Sequence, residues 1–145
     1  MDNNDRIEGL LEKTYWIIDI LPKRVTEHGK GQYFKIEKFY LKQSQRIILC
    51  QKFANILIKM NCYDNIMVCY LEDFWSCNLS PENLVEWISE SMSKRKPLFV
   101  LFESTETLIT ISGDDTYMTL YNPDTDFLDL IRSLAASEGM FVWKP

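Results

Sequence analysis

His28 is the only histidine in the chain, so any serine or cysteine nucleophile activated by an imidazole would have to use it. It stands in Glu27-His28-Gly29-Lys30-Gly31, a polar, glycine-bearing stretch that reads as a loop, and a loose loop holds catalytic geometry poorly. An exposed histidine with no chemical role is the expectation. Lys30 between two glycines has the composition of a phosphate loop, but the G-x-x-x-x-G-K-S/T spacing and its strand-loop-helix setting are absent. Cys50, Cys62, Cys69 and Cys77 are separated by eleven, six and seven residues, without the paired C-x-x-C spacing of a zinc site. Reduced cysteines serving as small hydrophobes are expected, and neither a metal nor a cofactor.

Two carboxylate pairs remain. Asp114-Asp115 follows Gly113, where aspartate is what a tight turn calls for, and nothing nearby suggests a third metal ligand. Glu72-Asp73 stands beside Phe74-Trp75. An aromatic pair in a polar setting can anchor an interface, with the acidic neighbours selecting a basic partner; the structural alternative is that Trp75 caps the core. Asp19, His28 and a tyrosine such as Tyr117 or Tyr121 would be the residues of a pocket, if the chain binds or transforms a small molecule.

The charges are unevenly placed. The net charge is -5, yet residues 97–145 hold two basic residues, Arg132 and Lys144, against eight acidic ones. Between Pro22 and Cys62 nine basic residues face only Glu27 and Glu37. Lys35, Lys38, Lys42, Arg46, Lys52 and Lys59 read as a solvated face, since the protein as a whole is acidic and carries no motif of a nucleic-acid reader. If Asp114, Asp115, Asp124, Asp126 and Asp129 share a surface, they steer a cationic partner, or the basic part of a second copy of the chain.

The elements that must position these residues follow from periodicity and caps. Asp5–Lys13 reads as a short helix, and Tyr15-Trp16-Ile17-Ile18-Asp19-Ile20-Leu21 as a largely buried strand ended by Pro22. Within that strand Asp19 is expected to face solvent at an edge; the alternative is a buried carboxylate with a partner. Residues 32–41 fit both a helix and a strand, and strand is the expectation. A helix runs from Ser44 to about Met60 on the stripe Leu49, Phe53, Ile56, Leu57 and Met60, followed by a strand over 65–71. Ser80-Pro81 caps and opens a helix that Pro97 stops. Leu98–Phe102 is an apolar strand, and 106–123 a hairpin in which a two-residue turn at Gly113-Asp114 pairs Ile111 with Thr116, Ile109 with Met118 and Thr107 with Leu120. Asn122-Pro123 repeats the cap-then-proline pattern before a helix carrying Phe127, Leu130, Ile131 and Leu134, and a short strand over 140–143 ends the chain.

A strand at 65–71, a helix at 80–93 and a strand at 98–102 make a crossover unit, parallel if both strands share a sheet. The expected fold is therefore α+β: one domain over residues 1–145, with a mixed, mainly antiparallel sheet and about three amphipathic helices packed largely on one face. At 145 residues, 46% of them apolar, the chain can bury a continuous core. No run of about 18 uncharged apolar residues suggests a membrane span, and the acidic start Met1-Asp2-Asn3-Asn4-Asp5 is unlike a secretory signal, so a cytoplasmic location is expected.

With Tyr15-Trp16-Ile17-Ile18-Asp19-Ile20-Leu21-Pro22, Gly31-Gln32-Tyr33-Phe34, the hairpin and the ending Gly139-Met140-Phe141-Val142-Trp143-Lys144-Pro145, the chain resembles a group of small bacterial single-domain proteins over nearly its full length. The resemblance implies no activity, cofactor or catalytic residue. In size and acidity the chain is also similar to many bacterial immunity proteins. The functional expectation is a non-enzymatic protein-binding module of immunity or antitoxin type, which recognises a basic protein through Glu72, Asp73, Phe74, Trp75, Asp114, Asp115, Asp124, Asp126 and Asp129. A small-molecule-binding domain or enzyme and a self-associating protein are the alternatives.

Overall fold

The sheet organises the chain. A computed structural model describes residues 2–70 and 74–145, and its seven strands form one sheet in the order β3-β2-β4-β5-β6-β1-β7. The strands are β1 (Tyr15–Asp19), β2 (Ile66–Cys69), β3 (Trp75–Cys77), β4 (Leu98–Phe102), β5 (Thr107–Ile111), β6 (Met118–Tyr121) and β7 (Phe141–Trp143). The helices are α1 (Asn3–Leu10), α2 (Tyr33–Leu41), α3 (Gln43–Met60), α4 (Pro81–Lys94) and α5 (Thr125–Ser137).

Every pairing is antiparallel, so the expected parallel crossover is absent. The reason is β3, a three-residue strand too short to stand out in the sequence. It brings the chain back to the end of the sheet where β2 began, α4 runs along it again, and β4 enters antiparallel to β2, with Val68 opposite Val100. Asn78, at φ 48°, closes this return. Its Oδ1 accepts from the Ile66 amide and from Asn61 Nδ2, both at 2.9 Å.

The helix count also exceeds the expectation, with five instead of about three. Residues 32–41, expected as a strand, form α2, which packs on α3. The period-2 and period-3.6 patterns coincide in this stretch. As a helix it packs on α3 instead of extending either edge of the sheet, β3 or β7. Phe34 is 77% exposed and Phe39 44%, so α2 carries apolar residues that the domain does not bury.

One face of the sheet carries the main core. Ile18, Ile66, Val68, Val100, Phe102, Ile109, Ile111, Met118 and Leu120 are buried there against Leu49, Phe53 and Leu57 of α3, Leu84 and Ile88 of α4, and Phe127 and Ile131 of α5. The caps agree with the sequence in one case and shift in the other. Ser80 Oγ accepts from the Asn83 amide at 3.2 Å, with Pro81 opening α4. At α5 the cap is Asp124, whose carboxylate accepts from the Phe127 amide at 2.8 Å. Asn122 is instead a left-handed residue at φ 60°, and its side chain donates to the Glu106 carbonyl at 2.9 Å.

The hairpin keeps its faces but not its turn. Ile111 pairs with Met118 and Ile109 with Leu120, two residues away from the register of a two-residue turn. A shift of two leaves each side chain on the face expected for it. The longer connection exists because Gly113 is pressed against the end of α4, where a Cβ would overlap the Met92 carbonyl. The adjoining Asp114 pairs with Arg95 at 3.3 Å. Gly113→Ala is therefore expected to cost about 1–3 kcal/mol through overpacking. At Gly9 in α1 nothing lies within 4 Å of an added Cβ, and Gly9→Ala should stabilise by about 0.5–1 kcal/mol. Urea denaturation of both variants checks the opposite signs.

Candidate functional site

The second face of the sheet is covered only in its middle, where Ile7 and Leu10 of α1 pack on Leu101 and Leu108. Beyond α1, over β1, β6 and β7, the face is open. Alternation along β1 puts Tyr15, Ile17 and Asp19 on this side, while Ile18 enters the main core. The partners across the strands are Tyr121, Thr119 and Trp143. The segment after β1 and the first turn of α2 wall the area, leaving a pocket of about 500 Å³. Asp19, Tyr33, Tyr117, Tyr121 and Trp143 line it, with Lys23 and Arg24 at its rim.

Asp19 is the group least at home here. It is 8% exposed, and its Oδ1 accepts from the Ile20 amide at 2.7 Å. Burial lifts its carboxyl above the ordinary carboxylate range; the Ile20 and Leu21 amides and the Trp143 indole N–H oppose this and favour the anion. The indole N–H lies near the carboxylate but outside hydrogen-bond geometry, so Trp143 Nε1 is buried without a partner.

The surroundings add negative charge. Tyr33 donates to Glu37 at 3.3 Å, and burial, with Glu37 and Asp19 nearby, pushes its phenol up to about 12. Burial, then Asp115, Asp19 and Glu37, raise Tyr117 as well. Asp115 is itself raised by burial and by Asp114 and Glu37, against the pull of a hydrogen bond from Tyr117. Among the described residues the ion pairs use Arg6, Lys94 and Arg95, with Glu103, Glu106, Glu90 and Asp114; Asp19, Glu37 and Asp115 have no cationic partner. A protonated amine entering the pocket would supply one, and the tyrosine faces would add cation–π attraction.

The residues singled out in the sequence are dispersed. Asp19, Tyr117 and Tyr121 come together in the pocket. His28 stays on an exposed loop outside its lining. Glu72 and Asp73 lie outside the described residues. Phe74 is 60% exposed beside Trp87, at 5.8 Å between ring centroids, whereas the half-buried Trp75 packs into the cluster under α1. Asp114 and Asp115 precede β6, and Asp124, Asp126 and Asp129 follow it. Asp124 is occupied as a helix cap.

Tyr33, Glu37, Arg24 and Trp143 belong to the site without having been singled out. Tyr33 and Glu37 depend on α2 being a helix, which sets them one turn apart. Among the described residues no cysteine is in a disulfide, and burial raises the Cys50 thiol to about 11. Among the described residues no group of three or more His, Cys, Asp or Glu is placed to hold a metal ion, and no helix is long and apolar enough to cross a membrane. Comparison with protein-family models, with curated proteins and with solved structures finds no match in any of the three.

A buried carboxyl titrating above its unfolded value near 3.9 contributes stability that is present below that value and is lost as the pH rises through the folded value. Asp19→Asn, which keeps an oxygen for the Ile20 amide, should therefore raise the denaturation midpoint at pH 7. The difference should close below about pH 4. Urea titrations at the two pH values measure it.

Proposed function

We propose that the protein is a small-molecule-binding domain whose ligand carries a protonated amine. The observation that carries this reading is Asp19, a buried carboxylate without a cation, facing an aromatic-walled pocket of about 500 Å³. That volume is in the range of small-molecule sites. A buried unpaired charge lowers stability, and a site that destabilises the free protein is accounted for when a ligand neutralises it. Phenethylamine, an aryl ammonium, is a direct probe. It should bind in isothermal titration calorimetry at pH 7 and more weakly as Asp19 is protonated on acidification. Asp19→Asn, folded and more stable, should weaken it at least about tenfold, the scale of one charge-assisted hydrogen bond. Equal binding by the variant overturns the reading.

A second reading, a protein-binding module, is favoured by a different observation. Phe34 and Phe39 of α2 and Ile47 and Ile48 of α3 are all exposed, Ile47 at 62%, among Lys35, Lys38 and Lys42. Large apolar side chains left exposed on two consecutive helices are candidates for a contact surface. Because the rim is basic, a partner docked there would be acidic; a basic partner would meet Asp126 and Asp129 on α5. Light scattering at low and high salt tests the self-association form of this reading. Association that weakens with salt and is lost in Phe34→Ser/Ile47→Ser supports it, and a monomer at every salt concentration removes it.

A further inference from the structure

The pocket is charged at both ends. Asp19 closes β1 on one side, with Tyr33 and Tyr117 beside it in the lining. Arg24 borders the pocket and also an adjoining depression formed with Lys13, Tyr15 and Lys144, which places the cations toward the Tyr15 end of the same strand. Glu12 is the one acidic residue in that depression. Among the described residues none of Lys13, Lys23, Arg24 and Lys144 is in an ion pair. Four steps of about 3.3 Å separate Tyr15 from Asp19 along the strand, roughly 13 Å from end to end. The lining also has apolar residues, Leu11, Ile17, Leu21 and Val25, beside the polar Thr119 and the tyrosines.

Resting on the reading of the pocket as an amine site, we infer that the ligand is a zwitterion of short-peptide class: its ammonium pairs with Asp19, its carboxylate lies at Arg24, and its side chains rest on Leu11, Ile17 and the tyrosine rings of the lining. The separation selects the length. A free amino acid holds its two charges too close together to meet both ends. An extended di- or tripeptide spans about 7–10 Å at roughly 3.3–3.6 Å per residue, and the long arginine side chain covers what remains. Arginine also suits the role, since its planar fork matches a carboxylate in two hydrogen bonds.

The test uses one scaffold with its charges removed in turn: the dipeptide leucyl-phenylalanine, its C-terminal amide, its N-acetyl form and free phenylalanine, titrated calorimetrically into the intact protein alongside phenethylamine. The free dipeptide is expected to bind at least about tenfold tighter than each of the other three peptide-derived probes. Arg24→Gln, on an exposed side chain, should bring the dipeptide down to the level of its amide and leave the amide unchanged. Asp19→Asn should do the same relative to the N-acetyl form. If the amide binds as tightly as the free dipeptide, or free phenylalanine does, the inference is overturned; phenethylamine binding that is lost in Asp19→Asn then still upholds the amine site. If phenethylamine binds but no form of the dipeptide does, the inference again falls alone. If the N-acetyl form matches the free dipeptide, the inference falls alone as long as phenethylamine binding is lost in Asp19→Asn; if no probe including phenethylamine binds, both fall.

Discussion

The molecule depends on a mismatch between the sheet and the helix available to cover it. Seven strands at about 4.8 Å spacing make a sheet roughly 29 Å across, and three helices side by side at about 10 Å each cover that width. On the main core face α3, α4 and α5 do so, with α3 between the other two. On the other face, among the described residues, α1, eight residues and so about 12 Å long, packs through Ile7 and Leu10 on Leu101 and Leu108, with Met67, Trp75, Phe99 and Tyr121 around them, and the first turn of α2 only borders the rest. The uncovered flank over β1, β6 and β7 is therefore a consequence of how the chain divides its helices, and the pocket lies there.

That flank is lined for polar contact. A strand whose second face meets solvent or a ligand tolerates Tyr15, Asp19, Thr119 and Tyr121, where a fully covered one would carry Val or Ile. Asp19 is more than tolerated surface polarity, because the segment after β1 and Tyr33 shield it from water without giving it a counter-charge. A short bond from the Ile20 amide holds the carboxylate in place, and burial, together with the same acidic neighbours, raises the phenols of Tyr33 and Tyr117. Burial and negative potential thus act on one point, which is the electrostatic condition for receiving a cation.

Much of the fold was legible from local chemistry. Ser80-Pro81 announced α4, the stripe from Leu49 to Met60 announced α3, and Leu98–Phe102 is a strand with the bounds read from its apolar run. These signals work because a cap, a proline or an apolar stripe acts within one or two turns of chain. The sheet's direction was not legible, since it turned on β3, three residues whose pairing with β2 supplies most of their reason to be extended. For α2, two periodicities fitted equally, and packing against α3 goes with the helical one. At the hairpin, Gly113 looked like a turn residue and is in fact required by contact with Met92, a residue of another element.

The site divides in the same way. By itself the sequence determined the alternation that sends Tyr15, Ile17 and Asp19 to one side of β1, and it marked Asp19 as the odd carboxylate in an apolar strand. It also determined the apolar faces of Ile109, Ile111, Met118 and Leu120, which survive even a change of register because side chains in a strand repeat every two residues. Only the tertiary structure decided that Asp19 is buried and that Tyr33, Tyr117 and Trp143 share its pocket. These are relations between residues distant in the chain, set by which sheet face each helix covers, and no local propensity carries that information.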